Sequence, residues 1–389
     1  MKKAFACQEV GSIQRPIWRQ QLEAKANKEW VKSAMDWGEK FNVEERGELR
    51  QLLEKDGSKR SAGEKQRIVD IASIYVIRML EHAGLDRVFN GEQPRTEMYD
   101  MLAKQIPGIK TAGFVNSFDA NYFRKGIIDG EISVNQEGID WFVDEFRFVQ
   151  KHTQHAVKPC FTGPYTMVDW SYVEYYRKLN EKKGLKPFAA LRQARADAVL
   201  GFARHVLNPI VRALVKAGAE IVQIDEPAAT TDESESALFT EAMNECFKGV
   251  PKGTGKAIHM CYSNYPVLFP ELAECKADSY LIEFTNHASV SHFKPDMVSP
   301  EAYKFIQSFN EYKVPVNMGV GVIDIHSDLV ESPEVIKERL LHAAKLVGDA
   351  SRVQANPDCG LRTRRWEIAV QKLVNMGRGA QLAREALGE

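Results

Sequence analysis

Residues 191–225 read LRQARADAVLGFARHVLNPIVRALVKAGAEIVQID. Val199, Phe202, Val206 and Ile210 recur at helical spacing, so 191–216 reads as one amphipathic helix. Residues 220–225 that follow form an apolar run of strand length ending on Asp225. A helix feeding a strand is one step of a βα alternation, and the same alternation continues in both directions. Core strands are expected at 4–11, 87–91, 157–163, 220–225, 257–261, 278–283, 314–320 and 352–356. Eight strands separated by helices predict an α/β fold, a closed (β/α)8 TIM barrel.

Other stretches fit around that frame. Ser332-Pro333-Glu334 opens a helix with a capping serine and a proline at its first position, and Gly348 closes it. The charged segment 20–67 is helical in composition and is expected to pack outside the barrel. Residues 107–138 read as an insertion, a hairpin between the second and third strands. The chain is read as one catalytic domain over residues 1–389, with about 16–70 as an N-terminal helical decoration.

The 389 residues are 44% hydrophobic and 27% charged, with a formal net charge of −1. That balance suits a globular enzyme and offers no basic excess for nucleic acid or an anionic membrane. No uninterrupted apolar run approaches the roughly 20 residues that span a bilayer. Cys7, Cys160, Cys246, Cys261, Cys275 and Cys359 are too scattered for a disulfide framework, so a cytoplasmic protein is expected. Cys160, Cys246 and Cys275 read as small core hydrophobes.

Polar clusters fall at the C-terminal ends of strands, the rim on which barrel active sites are built. His259 and Cys261 are two apart on a strand and face the same side. Glu283 ends the next strand, and Cys359 follows the last one in Asn356-Pro357-Asp358-Cys359-Gly360-Leu361. A nitrogen, two sulfurs and a carboxylate oxygen make a plausible tetrahedral zinc set. The competing reading is a core histidine beside a core cysteine. Two thiolates and a carboxylate would carry about three negative charges against the two of zinc. Such a site activates water poorly but leaves a coordinated sulfur nucleophilic, which suits alkyl transfer to a thiol.

His259-Met260-Cys261-Tyr262-Ser263, the Asn356–Leu361 run and Gln223-Ile224-Asp225-Glu226-Pro227-Ala228 resemble the cobalamin-independent methionine synthase family. So do Val10-Gly11-Ser12, Thr162-Gly163-Pro164 and Asp324-Ile325-His326-Ser327, in the family's order. The family has a two-barrel form, and this chain resembles its second, catalytic barrel alone. The resemblance implies Zn2+ on His259, Cys261, Glu283 and Cys359, and homocysteine as substrate. It implies Asp225 for the substrate ammonium, with Gly11 and Ser12 holding the amino acid. It places a glutamate where Asp100 aligns, with Glu97 as the alternative. It makes His326 the proton donor to the departing methyl carrier and Trp170 a flat surface for a pterin ring.

The methyl donor is where the chain departs from the family. An Arg-Cys pair that contacts folate aligns with Asn121-Tyr122, with Arg124 close by, and a glutamate expected after the Asp-Glu-Pro motif is Thr231. The first barrel is absent as well. These departures put a methylcorrinoid protein ahead of methyl-tetrahydrofolate as the expected donor. Two other classes compete: a zinc thiol alkyltransferase of the epoxyalkane–coenzyme M type, and a decarboxylase-like barrel without catalytic zinc.

Overall fold

In the computed structural model, which describes residues 3–117, 120–261, 263–285 and 300–389, seven parallel strands form one curled sheet. In spatial order they are Ala6–Cys7, Val353–Pro357, Asn317–Ile323, Ser279–Ile282, Gly255–Met260, Ile221–Asp225 and Cys160–Thr162. Arg87–Val88 bridges Gln8 on one side and pairs with Ala156–Val157 on the other, which completes the ring. Ala156–Val157 and Cys160–Thr162 are the two halves of one expected strand. They part around Pro159, which has no N–H for the ladder, while its carbonyl still accepts from Gln223 N at 2.9 Å. The expected TIM barrel is therefore the observed one.

The seventh expected strand begins and ends three residues later than the apolar pattern suggested, at Asn317–Ile323. Gly319 and Gly321, which flank the expected end at 320, both lie inside the observed strand. A Cβ on Gly319 would run into the Asn356 side chain, and one on Gly321 into the Asp358 carboxylate. Glycine inside a strand here marks a close approach, not a break.

The helix expected over 191–216 runs as Pro187–Phe202, a π turn at Ala203–Leu207, and Asn208–Lys216. Pro209 cannot donate to the His205 carbonyl four residues back, and that carbonyl accepts from Val134 N at 3.1 Å instead. Val199, Phe202, Val206 and Ile210 are fully buried. By length and composition this helix is apolar enough to cross a bilayer, but half of its apolar window is buried inside the protein. The helix opened by Ser332 spans Pro333–Val347; Ser332 Oγ accepts from Val335 N at 3.3 Å, and Gly348 ends it at φ 77°.

The charged N-terminal segment forms the helices Lys28–Lys40 and Arg46–Glu54, whose apolar sides (Ala34, Leu49, Leu53) join the main core. The helix Ala62–His82 begins within the segment read as decoration, behind a Ser61/Glu64 capping box. It is buried along most of its length and is the first helix of the barrel layer. The insertion is an antiparallel hairpin, Ile109–Ser117 with Ala120–Ile128. Its return strand pairs with Ser171–Tyr172, and Gly126 N donates to the Trp170 carbonyl at 2.9 Å. The hairpin thereby reaches over the rim beside Trp170.

Candidate active site

The Gly255–Met260 strand carries His259 and delivers Cys261 immediately past its end; the last strand delivers Cys359. His259 Nε2 lies 3.5 Å from Cys359 Sγ, which lies 3.7 Å from Cys261 Sγ. The three ligand atoms all sit within 4.8 Å of one another. His259 Nδ1 bonds the Leu281 carbonyl at 2.9 Å, which turns Nε2 toward the sulfurs. The hydrogen bond between Cys359 and Cys261, helped by His259, holds Cys359 well below the usual thiol range. The same bond, with burial, pushes Cys261 well up. Burial opposes a charged His259, but the hydrogen bond and charge of Cys359 outweigh it and push the imidazole up to about 9. A dication entering here would displace the thiol protons as it binds. One imidazole nitrogen and two sulfurs fit zinc's preferred donors.

Glu283, the fourth expected ligand, is buried at the next strand end, and its charge reaches Cys261. Its carboxylate is not part of the compact three-residue group. Its loop hangs on Asp358, which accepts from Phe284 N at 2.9 Å, Thr285 N at 3.1 Å and the Thr285 hydroxyl. Asp358, the residue beside Cys359, thus ties the loop after Glu283 to the cysteine loop. Gly360 lies so close to the first-strand loop that a Cβ there would sit 2.5 Å from Ser12 N. This backbone contact sets Gly11 and Ser12 against the cysteine loop.

A cavity of about 230 Å³ opens over these groups. Gly11, Ser12, Glu97, Trp170, Asp225, His259, Cys261, His326 and Cys359 all line it; Asp100 and Glu283 do not. Asp100 is committed to Lys104 at 2.6 Å and to the Thr96 hydroxyl at 3.1 Å. Glu97 caps the short helix Met98–Ala103, accepting from Tyr99 N at 2.8 Å and from Asp100 N. Asp324 Oδ1 accepts from the backbone N of His326 at 2.7 Å, so it shapes the turn that carries the histidine. Tyr262 lies outside the described residues, as do the side chains of Asn121, Tyr122 and Arg124.

The acidic end of the cavity holds a residue that the sequence reading missed. Glu92 lines the wall, and its carboxylate, the Cys160 sulfur and the Asp225 carboxylate lie within 4.8 Å of one another. Glu92 has φ 58°, a left-handed conformation rare for a side chain of its size, and Asn90 Oδ1 accepts its N–H at 2.9 Å. An Asn-Gly turn at a strand end followed by a glutamate was the available signal. Cys160 is therefore not merely a core hydrophobe: its thiol faces Glu92 Oε1 at 3.7 Å. Asp225 accepts from Gln223 Nε2 at 2.6 Å, and burial pushes its carboxyl up to about 7. Two buried carboxyl groups side by side make this end receptive to a cation.

A family model described as "Cobalamin-independent synthase, Catalytic domain" matches residues 43–382. The methionine synthase of Thermoplasma acidophilum is 33% identical over 321 residues, 79% of this chain and 87% of the relative. That of Saccharolobus solfataricus is 33% identical over 331 residues, 85% of this chain and 88% of the relative. In solved structures, the fold is shared with a B12-independent methionine synthase from Shewanella sp. W3-18-1 in complex with selenomethionine. The TM-score is 0.72 at 21% identity, covering 99% of both chains. The match corrects the expected donor: a family defined by independence from cobalamin overturns the methylcorrinoid or corrinoid protein placed ahead of folate. This chain is a methyltransferase and belongs to the cobalamin-independent methionine synthase family.

Proposed function

We propose that this chain, acting as one catalytic domain, methylates the sulfur of homocysteine to give methionine, with methyl-tetrahydrofolate as donor and zinc at His259, Cys261 and Cys359. The observation that carries the reading is the polarity of the cavity. Sulfur and imidazole ligands converge in one part of it, and buried carboxyl groups lie in another. An amino acid with a thiol at its far end matches that division.

Asp225 and Glu92 receive the ammonium, and Ser12 with the backbone at Gly11 receives the carboxylate. Gln223 fixes Asp225 from below, and Arg95 Nη1, 3.4 Å from Glu92 Oε1, fixes Glu92. When bound, zinc would lower the pKa of the substrate thiol and hold it as a nucleophile at neutral pH. Glu283 is the proposed fourth ligand, on a loop whose position Asp358 sets. Trp170 offers its face to the pterin ring. As the methyl carbon leaves the donor's N5 for sulfur, the N–C electron pair stays on nitrogen. His326, at the rim, supplies the proton that this nitrogen takes up.

The test is methionine formation by the zinc-loaded protein from L-homocysteine and methyl-tetrahydrofolate triglutamate. Product formation abolished in His259→Ala and Cys359→Ala supports the reading. Absence of product from the parent protein, at full zinc loading and native fold, overturns it.

A further inference from the structure

Three arginines converge on one wall beside the cavity mouth. Arg362 lines the mouth and is exposed. Arg15 Nη2 and Arg362 Nη2 both donate to a single acceptor, the Thr96 carbonyl, at 2.6 and 3.4 Å. Arg19 lies beside them and spends its guanidinium on the Gln93 carbonyl, at 3.0 Å from Nε and 2.6 Å from Nη2. Among the described residues none of the three is ion-paired with a carboxylate. The neighbouring Arg364, by contrast, is paired with Asp328 at 2.7 Å.

Such an arrangement is costly without an anion. Arg15 Nε is buried without a hydrogen-bond partner in the protein. Burial, with the charges of Arg362 and Arg19 beside it, pushes Arg15 down to about 10. The nearest acids are occupied: Glu97 caps two backbone N–H groups, and Glu92 faces Arg95 and Cys160. Guanidinium groups that share one neutral carbonyl keep donors in hand, and their planar fork matches a carboxylate.

We propose that Arg15 and Arg362, backed by Arg19, form a carboxylate subsite at the mouth of the cavity. The inference rests on the proposed methyl transfer, because both candidate occupants belong to that reaction. One is the glutamate tail of the methyl donor, which must trail outward past the rim. The other is the carboxylate of homocysteine, which Arg362 would then share with Ser12 and Gly11 on the same cavity lining.

The experiment is isothermal titration of the zinc-loaded protein and its Arg362→Gln variant with four probes. These are methyl-tetrahydrofolate carrying one or three glutamates, L-homocysteine, and 3-aminopropane-1-thiol, which is homocysteine without its carboxylate. Arg362 is exposed and makes one long bond, so its loss should leave the fold intact; Arg364→Gln is the charge control. Loss of one charge-assisted contact should weaken the occupant about tenfold. If the triglutamate advantage collapses in Arg362→Gln, the tail is the occupant. If instead the preference for homocysteine over its decarboxylated analogue collapses, the substrate carboxylate is. Affinities within twofold of parent for every probe, or an equal loss in Arg364→Gln, overturn the subsite. Parent protein that makes no methionine overturns the functional reading separately, and the binding ratios still report on the arginines.

Discussion

Asp225→Asn isolates the charge at the acidic end of the cavity. The substitution keeps the shape, and the amide oxygen still accepts from Gln223 Nε2, which lies 2.6 Å from the carboxylate in the parent. What disappears is a buried negative charge with 7% exposure, facing the place assigned to the substrate ammonium. Removing one partner of a buried charged contact costs about 2–4 kcal/mol. At about 1.4 kcal/mol per factor of ten, kcat/KM for homocysteine should fall roughly 30- to 1000-fold. The assay is initial rate against homocysteine at saturating donor, with zinc content and thermal midpoint measured in parallel. 4-Mercaptobutanoate, which is homocysteine without its ammonium, supplies a second readout: the parent should discriminate strongly against it, and the variant weakly. A kcat/KM within threefold of parent, or undiminished discrimination, would refute the assignment. An equal fall caused by lost zinc would make Asp225 a structural group.

Further expectations follow from the same geometry. Asp358→Ala strands the Phe284 and Thr285 N–H groups and should cost about 2–4 kcal/mol in urea-unfolding stability while loosening zinc; Asp358→Asn, which keeps one acceptor oxygen, should recover most of both. Gly321→Ala forces a methyl group against the Asp358 carboxylate and should lower the thermal midpoint, with circular dichroism as the check. Burial raises Glu9 to about 8, Asp225 and Glu226 each to about 7, and Asp358 to about 6, all above their unfolded values. At these four groups the folded chain therefore binds more protons than the unfolded chain between about pH 4 and pH 8. The stability these groups contribute is complete below the unfolded pKa values and is lost as pH rises through the folded ones. The urea midpoint of the zinc-free protein should fall from pH 5 to pH 8, and a rise would contradict the burial of these groups.

The barrel was legible because its helices and strands keep their periodicities over long stretches, as in 191–225. Residues two apart on a strand must share a side, so His259 and Cys261 were readable as a pair before any coordinates. The shift of the seventh strand was not readable, because Gly319 and Gly321 answer to side chains 37 residues further along the chain, Asn356 and Asp358. Glu92 was missed for a related reason: its position depends on a left-handed turn, which has no periodic signature. Asp100 was given a binding role by alignment with a family glutamate, with Glu97 as the alternative, whereas its helix turns it toward Lys104. Local patterns encode elements and faces; which carboxylate reaches a cavity is decided by turns and by partners distant in sequence.

In the proposed reaction His259, Cys261 and Cys359 would hold a zinc ion that takes the substrate sulfur directly. Zinc K-edge absorption on the loaded protein, with and without L-homocysteine, tests it most directly. One nitrogen, two sulfurs and an oxygen are expected at rest, and a third sulfur in place of the oxygen once homocysteine is bound. A sulfur count that stays at two with saturating homocysteine would contradict it.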